Sequence, residues 1–429
     1  MSLKVDILLL LWLGIIQPVF SSEIAICTPE QIESMGEYEY VLDPFECWLD
    51  PEVLLKMSKE KVEITGMNET HFSYFSTETL PKEFKEDMHL ILKNLEVTRG
   101  TQLIKCNKLT LVNVNFLYNS SIFSTLEKGL PFPKFCQLVI SNGTFAGEAV
   151  GDVLFNLDCD KLKVNVADST FNSMRYFDRM FNMKGVEEIF SRAIFRSNKF
   201  QGNTDFNYLI SSANIDIEID DNRISNNKDF ASLMWLRHHI GISGNQISFN
   251  SAKSDLIKFS EPASCFRMVN NDYDSNFCQN LITVYDSRDK IDMVFLNNFY
   301  VNNTALLKFA FSLNVSQITF ANETYRGNHF NRYFQSTAKK ILLKDSIFEY
   351  NYYMVENDCP MTNKWALENI EFVRCTLYLP DLALHYHINH MCKDFGLLPK
   401  KKLFRKGYRM GRDERLIKDN LRTTFILFR

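Results

Sequence analysis

The segment 217–227 reads IEIDDNRISNN, and 23 residues later the segment 240–250 reads IGISGNQISFN. Both have the form Φ-x-Φ-x-x-N-x-Φ-x-x-N, where Φ is an apolar residue. The residues between the fixed points differ in size and charge. This pattern predicts that the fixed positions form the core and the corners of a repeated unit, while the variable positions face solvent.

The same phrase recurs along most of the chain. Its final apolar residue falls at Phe116, Phe145, Phe171, Phe200, Ile224, Ile247, Tyr273, Tyr300, Tyr325, Phe348 and Leu377. The intervals run from 23 to 29 residues, and eight of the eleven copies carry Asn three residues after that position. A period this steady predicts stacked supersecondary units rather than one globular core.

Each unit also has a second apolar stretch, such as SLMWLR at 232–237. Short alternating runs bounded by Asn and Ser are typical of strands, and no unit has room for a long helix. The fold class predicted is all-β: a right-handed parallel β-helix solenoid of about 11–12 coils with an N-terminal cap. The alternative is a leucine-rich-repeat solenoid, because IGISGNQI at 240–247 matches its strand segment.

The element N-x-Φ-x-x-N resembles the coils of the pectate-lyase-like β-helix superfamily over roughly residues 90–377. The resemblance implies inward columns of aliphatic and aromatic residues and a ladder of Asn side chains at a turn. Elementary chemistry agrees, because Asn tolerates left-handed backbone and stacked amides can hydrogen-bond from coil to coil. The motif is structural and implies little about chemistry.

The N-terminus predicts secretion. Lys4 precedes the apolar run 7–16, and Val19 and Ser21 mark a cleavage site after residue 21. No later segment offers about 20 consecutive apolar residues, so no transmembrane span is expected. We therefore divide the chain into a signal peptide (1–21), a cap region (22–87), a β-helix domain (88–392) and a basic tail (393–429).

The basic tail carries 12 Lys and Arg against 4 Asp and Glu, although the whole chain has a net charge of −4. Such a segment is expected to attract anionic surfaces. Nucleic acid is not an expected partner of a secreted chain, and no cofactor is expected.

Cysteines and glycosylation sequons fit an oxidising, extracellular compartment. The ten cysteines are disulfide candidates, with Cys27–Cys47 and Cys265–Cys278 as local pairings: Cys27, Cys47, Cys106, Cys136, Cys159, Cys265, Cys278, Cys359, Cys375 and Cys392. The six N-x-[ST] sequons lie at Asn68, Asn119, Asn142, Asn302, Asn314 and Asn322.

Catalytic candidates come from polygalacturonases, which resemble this architecture and carry N-T-D, D-D and G-H-G on successive coils. Asp205, the pair Asp220 and Asp221, and His238 occur here in that order. Asp205 and Asp220 are only 15 residues apart, however, which is not one repeat. The spacing therefore places them on different sides of a coil and disfavours a two-carboxylate active site.

A candidate metal site lies near the C-terminus. His385, His387 and His390 carry metal-ligand side chains within a short segment, although a terminal His is commonly just exposed.

The functional hypothesis is a secreted, glycosylated β-helix that acts as an extracellular binding or structural surface for glycans or proteins, without catalysis. The first alternative is a carbohydrate-active enzyme, a polysaccharide lyase or a glycoside hydrolase, on the same face. The second is a leucine-rich-repeat solenoid that binds a protein.

Overall fold

The protein is described by a computed structural model. It describes residues 39–42, 61–66, 73–75, 82–97, 103–116, 121–125, 133–186, 191–285, 292–312, 317–330, 334–336, 340–354, 364–368, 371–373, 376–379 and 424–427. The predicted signal peptide, the sequons at Asn68, Asn119 and Asn314, and the cluster of His385, His387 and His390 lie outside these ranges.

All regular elements in these ranges are strands. In the first part of the chain they are β1 (Glu39–Leu42), β2 (Lys61–Gly66), β3 (Ser73–Phe75), β4 (His89–Val97), β5 (Ile104–Lys105), β6 (Lys108–Phe116), β7 (Phe123–Ser124), β8 (Phe135–Ser141), β9 (Thr144–Cys159), β10 (Lys161–Ala167), β11 (Thr170–Gly185), β12 (Arg192–Arg196), β13 (Lys199–Gln201), β14 (Thr204–Ala213), β15 (Asp216–Asp220), β16 (Arg223–Ser225), β17 (Lys228–Phe230) and β18 (Met234–Ser243). They continue as β19 (Gln246–Ser248), β20 (Ser251–Ala252), β21 (Asp255–Val269), β22 (Asp272–Asp274), β23 (Phe277–Tyr285), β24 (Asp292–Leu296), β25 (Phe299–Val301), β26 (Thr304–Ser312), β27 (Gln317–Ala321), β28 (Thr324–Arg326), β29 (His329–Phe330), β30 (Phe334–Ser336), β31 (Lys340–Lys344), β32 (Ile347–Glu349), β33 (Tyr352–Met354), β34 (Lys364–Glu368), β35 (Glu371–Val373), β36 (Thr376–Leu379) and β37 (Thr424–Leu427).

These strands stack as a parallel β-solenoid with three columns. In a typical coil β12, β13 and β14 pair with β15, β16 and β17 of the next coil, always in parallel. A leucine-rich repeat would supply one strand and a helical segment per unit. The structure therefore confirms the β-helix, and the leucine-rich-repeat alternative is wrong.

The second column reproduces the repeat read from the sequence. Its register partners are Val97, Phe116, Phe145, Phe171, Phe200, Ile224, Ile247, Tyr273, Tyr300, Tyr325, Phe348 and Phe372. Ten of the predicted positions are confirmed as one column. The eleventh is wrong, because Phe372 pairs with Phe348 while Leu377 pairs with Tyr353 in the third column.

Two corners separate the three columns, and a buried Asn follows each corner. The first corner holds Asn198, Asn222, Asn245, Asn271 and Asn298, and the second holds Asn203, Asn227, Asn250, Asn276, Asn303, Asn328 and Asn351. Asn222 shows the common pattern: its backbone N and its Nδ2 both donate to Asn245 Oδ1, at 2.9 and 3.0 Å, and Nδ2 also donates to the carbonyl of Phe195 at 2.9 Å. The predicted ladder of stacked amides is thus present at both corners.

The left-handed backbone at these corners belongs to the residue before the ladder Asn. Asp221 and Gly244 precede the first-corner Asn with φ of 54° and 66°, and Asn226 and Phe249 precede the second-corner Asn with φ of 57° and 56°. The ladder Asn therefore supplies the buried amide, and the residue before it adopts the left-handed backbone conformation that the corner requires.

The core consists of aromatic stacks that run along the solenoid. Phe145, Phe171 and Phe200 lie with successive ring centroids 4.8 and 4.9 Å apart, and Tyr273, Tyr300 and Tyr325 continue the column at 5.0 and 4.8 Å. These distances equal the spacing of paired strands, so each ring packs on its counterpart one coil away.

Pairing continues at both ends of the repeat domain. In the predicted cap segment β1 pairs with β2 and β2 with β4, all in parallel, so strands of this segment extend the first column. In the predicted basic tail β37 pairs with β36 in the antiparallel direction. The capping role itself stays a prediction. No helix in the described ranges is long and apolar enough to cross a membrane.

One disulfide lies in the described structure, between Cys136 on β8 and Cys159 at the end of β9. Cys106 and Cys278 are free, buried thiols, so the predicted Cys265–Cys278 pairing is wrong and neither free thiol is in a disulfide. The reason is geometric: Cys265 pairs with Asp292 in the first column, whereas Cys278 lies in the third. Cys27, Cys47, Cys359, Cys375 and Cys392 lie outside the described residues.

Candidate binding surface

A group of aromatic and cationic side chains lies on the outer face of the third column. It comprises Arg179 on β11, Tyr208 on β14, Trp235 and Arg237 on β18, Lys258 on β21 and Tyr285 on β23, all partly exposed. We call it the Trp235 surface. Parallel register brings its members together, because Arg179 lies opposite Tyr208, Trp235 opposite Lys258, and Ser260 opposite both Arg237 and Tyr285.

Cations lie against the aromatic rings of this surface. The Arg237 guanidinium is 4.6 Å from the centroid of Trp235, and Lys258 Nζ is 5.2 Å from the same centroid. Lys258 Nζ is also 4.7 Å from the ring of Tyr285, and the Arg179 guanidinium lies 5.8 Å from Tyr208. These distances are within the range of cation–π attraction, so rings and cations form one continuous patch.

Hydrogen bonds fix the rings of the patch in place. Trp235 Nε1 donates to Ser260 Oγ at 2.7 Å. The carboxylate of Asp255, which is buried, accepts from Asn280 Nδ2 at 2.6 Å, from Thr283 Oγ1 at 2.9 Å and from the hydroxyl of Tyr285 at 3.1 Å. Because these partners lie on neighbouring strands of one rigid sheet, the patch is preorganised.

Positive charge dominates the patch. Arg179 pairs with Asp178 at 3.1 Å and donates to Asn182 Oδ1 at 2.9 Å. Neither Arg237 nor Lys258 forms an ion pair with a carboxylate among the described side chains. Both side chains are partly exposed.

The phenols of the patch are neutral at physiological pH. Burial, followed by the charge and hydrogen bond of Asp255, raises the pKa of Tyr285 to about 12. Burial also raises the pKa of Tyr208, against the lowering effect of Arg179. Both hydroxyls can therefore donate as well as accept hydrogen bonds.

The structure does not bring the predicted catalytic residues together. Asp220 ends β15 at the first corner, where it accepts from Ser243 Oγ at 2.6 Å, and Asp221 has the left-handed φ of that corner. Asp205 follows the second corner on β14, and His238 lies at the far end of the third column in the next coil. The expectation from spacing, that Asp205 and Asp220 lie on different sides of a coil, matches these positions.

Three predicted glycosylation sites lie at corners of the solenoid. Asn142, Asn302 and Asn322 are exposed, and each has the left-handed φ of a first or second corner, at 54°, 52° and 52°. An exposed amide on a corner is accessible to a modifying enzyme. Glycosylation of these residues stays a prediction.

The Trp235 surface was missed by reading motifs, although the sequence contains a signal for it. Arg179, Tyr208, Trp235, Lys258 and Tyr285 follow one another at 29, 27, 23 and 27 residues, all within the range of 23 to 29 residues that the core column shows. Aligning the second apolar stretch of each repeat unit, instead of the first, would place these five residues on one face.

No protein-family model matches the chain, and no curated protein matches it. Among solved structures, it is similar to a chain described as the crystal structure of the periplasmic alginate epimerase AlgG. The two are 10% identical, the match covers 79% of this chain and 85% of that chain, and the TM-score is 0.33. At that score the similarity adds nothing to the description of the site.

Proposed function

We propose that this chain is a secreted β-helix protein that binds acidic glycans on the Trp235 surface without catalysing a reaction. The observation that carries the proposal is a preorganised row of rings with two cations, Arg237 and Lys258, that lack a carboxylate partner among the described side chains. Secretion through the segment 1–21 and membership of the pectate-lyase-like superfamily are parts of the same proposal.

The chemistry of a sugar acid suits both parts of the patch. The C–H faces of a pyranose ring pack against flat aromatic side chains such as Trp235 and Tyr285. A carboxylate or sulfate on the same sugar accepts charge-assisted hydrogen bonds from guanidinium and ammonium groups. A neutral sugar would use only the rings, so anionic sugars should bind more tightly.

The length and rigidity of the face support recognition of an extended chain. Arg179 and Tyr285 lie on strands four coils apart in one parallel sheet, which spans about 19 Å at the usual strand spacing. A surface whose side chains are already held by Ser260, Asp255 and Asn182 loses little conformational entropy on binding.

The test is a calorimetric titration of the purified protein with uronic-acid oligosaccharides, sulfated oligosaccharides and a neutral oligosaccharide of equal length. We expect binding of an acidic series that weakens as salt is raised, because exposed charges are screened. Trp235→Ala should weaken binding roughly tenfold or more, since it removes the central ring. Lys258→Gln should weaken it less and reduce the salt dependence.

Two controls make the result specific. Phe299→Ala removes another solvent-facing ring, 49% exposed, from a different column and should leave binding unchanged. A chain truncated after Cys392 removes the basic tail. Binding that survives Trp235→Ala but is lost on truncation would contradict the proposal, and so would release of reducing or unsaturated sugars from an acidic polysaccharide.

A further inference from the structure

A second cluster of polar side chains lies beside the Trp235 surface. Asp216 at the start of β15 and His238 and His239 on β18 each offer one ligand atom, and these atoms lie within 4.8 Å of one another. All three residues are partly exposed. Within the described ranges, no other group of His, Cys, Asp and Glu has this geometry.

The backbone brings the two histidines together in a way that a regular strand does not. Successive side chains of a strand point to opposite faces. His238, however, has φ of 89°, and the pairing of β18 with β21 shifts register on both sides of it. The imidazole rings of His238 and His239 consequently meet edge to face, with centroids 4.4 Å apart.

The strand register supplies the carboxylate. Ile217 lies opposite Ile240, so the residues before them, Asp216 and His239, are neighbours on adjacent coils. Arg192, which lies opposite Asp216 on β12, pairs with Glu218 at 2.8 Å. The parallel register that builds the core therefore also places Asp216 next to the histidines.

The distance between the ligand atoms fits a shared ion. His238 Nδ1 lies 3.5 Å from Asp216 Oδ1. A charge-assisted N–H···O bond would be about 2.7–2.9 Å long. Two ligand atoms about 2.0–2.1 Å from a tetrahedral ion are instead about 3.3 Å apart, which is close to the observed separation.

We propose that Asp216, His238 and His239 bind one divalent transition-metal ion, and that the ion is Zn²⁺. Two imidazoles and one carboxylate are a ligand set that zinc accepts, whereas Ca²⁺ and Mg²⁺ prefer oxygen ligands alone. Three protein ligands leave a fourth position for water or a ligand. The strained φ of His238 is then the conformation that the site requires. The proposal is independent of glycan binding.

The test is a zinc titration of the full-length protein after treatment with a chelator, with a chromophoric competitor to report affinity. We expect one ion per chain, and a tetrahedral absorption band when Co²⁺ replaces Zn²⁺. Asp216→Asn and His239→Ala should each lower the affinity roughly tenfold or more. His238→Gly should abolish binding while keeping the fold, because glycine adopts φ of 89° without strain.

Matched controls separate this site from others. His329→Ala removes an exposed imidazole from β29 and should leave the affinity unchanged. A variant with His385, His387 and His390 all changed to Ala should also bind normally. Absence of zinc binding by the unmodified chain would overturn the proposal. So would binding that survives His238→Gly, or binding that only the triple variant loses.

Discussion

Glu323 occupies a position in the first-corner ladder between Asn298 of the preceding coil and Ser346 of the following coil. It is fully buried, its Oε1 accepts from the backbone N of Asn298 at 3.1 Å and from Asn298 Nδ2 at 3.0 Å, and its own backbone N donates to Ser346 Oγ at 3.2 Å. Burial raises the pKa of Glu323 from 4.5 to about 8, although hydrogen bonds from Asn298 and Tyr300 oppose the shift. The carboxyl is therefore protonated in the folded protein at neutral pH.

We predict that Glu323→Gln stabilises the protein, and more so as the pH rises. Between pH 4.5 and 8 the folded chain holds a proton that the unfolded chain has released, so the free energy of unfolding falls as pH increases through this window. At pH 7 the penalty is about 3 kcal/mol, from 2.5 pH units at about 1.4 kcal/mol each. Gln is neutral at every pH and keeps an acceptor for Asn298.

The assay is urea unfolding of the wild type and the variant at pH 5, 7 and 9. The gain in free energy should be under about 1 kcal/mol at pH 5, about 3 at pH 7 and larger at pH 9. Glu349→Gln is the control: it breaks a partly exposed ion pair with Arg326 at 3.8 Å and should change stability by less than about 1 kcal/mol. A gain that is equal at pH 5 and pH 9 would refute the reasoning.

Three further predictions concern the ladder and the cysteines. Asn250→Ala should lower the free energy of unfolding by about 2–4 kcal/mol in urea titrations, because it leaves the buried N and Nδ2 of Asn227 without their acceptor; a loss below 1 kcal/mol would contradict this. Replacing Cys136 and Cys159 by Ser should cost about 3 kcal/mol, since the disulfide closes a loop of 23 residues, and a variant that unfolds at the same urea concentration would count against it. Cys278 should resist a thiol reagent in the folded protein and react after unfolding, because burial raises the pKa of its thiol; fast reaction in the native state would disprove this.

The fold could be predicted from the sequence because its constraints repeat. Every described coil places an apolar residue in the second column, and most carry an amide after each corner, so positions such as Ile224, Asn227 and Ile247 recur at the coil period. Leu377 was misplaced because the column residue of the last copy is Phe372, five residues earlier, and no Asn three residues on marks either choice. Where the corner signal is absent, an apolar residue alone does not define the register.

The candidate sites were harder to predict because they arise between coils. Trp235 and Lys258 belong to one surface only through strand register. Asp216 lies close to His238 and His239 because of the strand register and the positive φ of His238. Two consecutive histidines in a sequence do not indicate that one of them has a positive φ. The pairing of Cys136 with Cys159 was also missed, because it joins the start of β8 to the end of β9, 23 residues further along the chain.

The two Asn ladders make the length of this molecule adjustable. Asn222 and Asn245 present identical donors and acceptors to the coils on either side of them, so removing residues 222–244 as a block would rejoin equivalent surfaces. Such a change would shorten the solenoid by one strand spacing, about 4.8 Å, without exposing a new kind of edge. Distances along the solenoid between equivalent groups on the outer face are therefore multiples of the strand spacing. Gain or loss of a coil would change the length of the outer face and leave the ladder hydrogen bonds of the remaining coils in place.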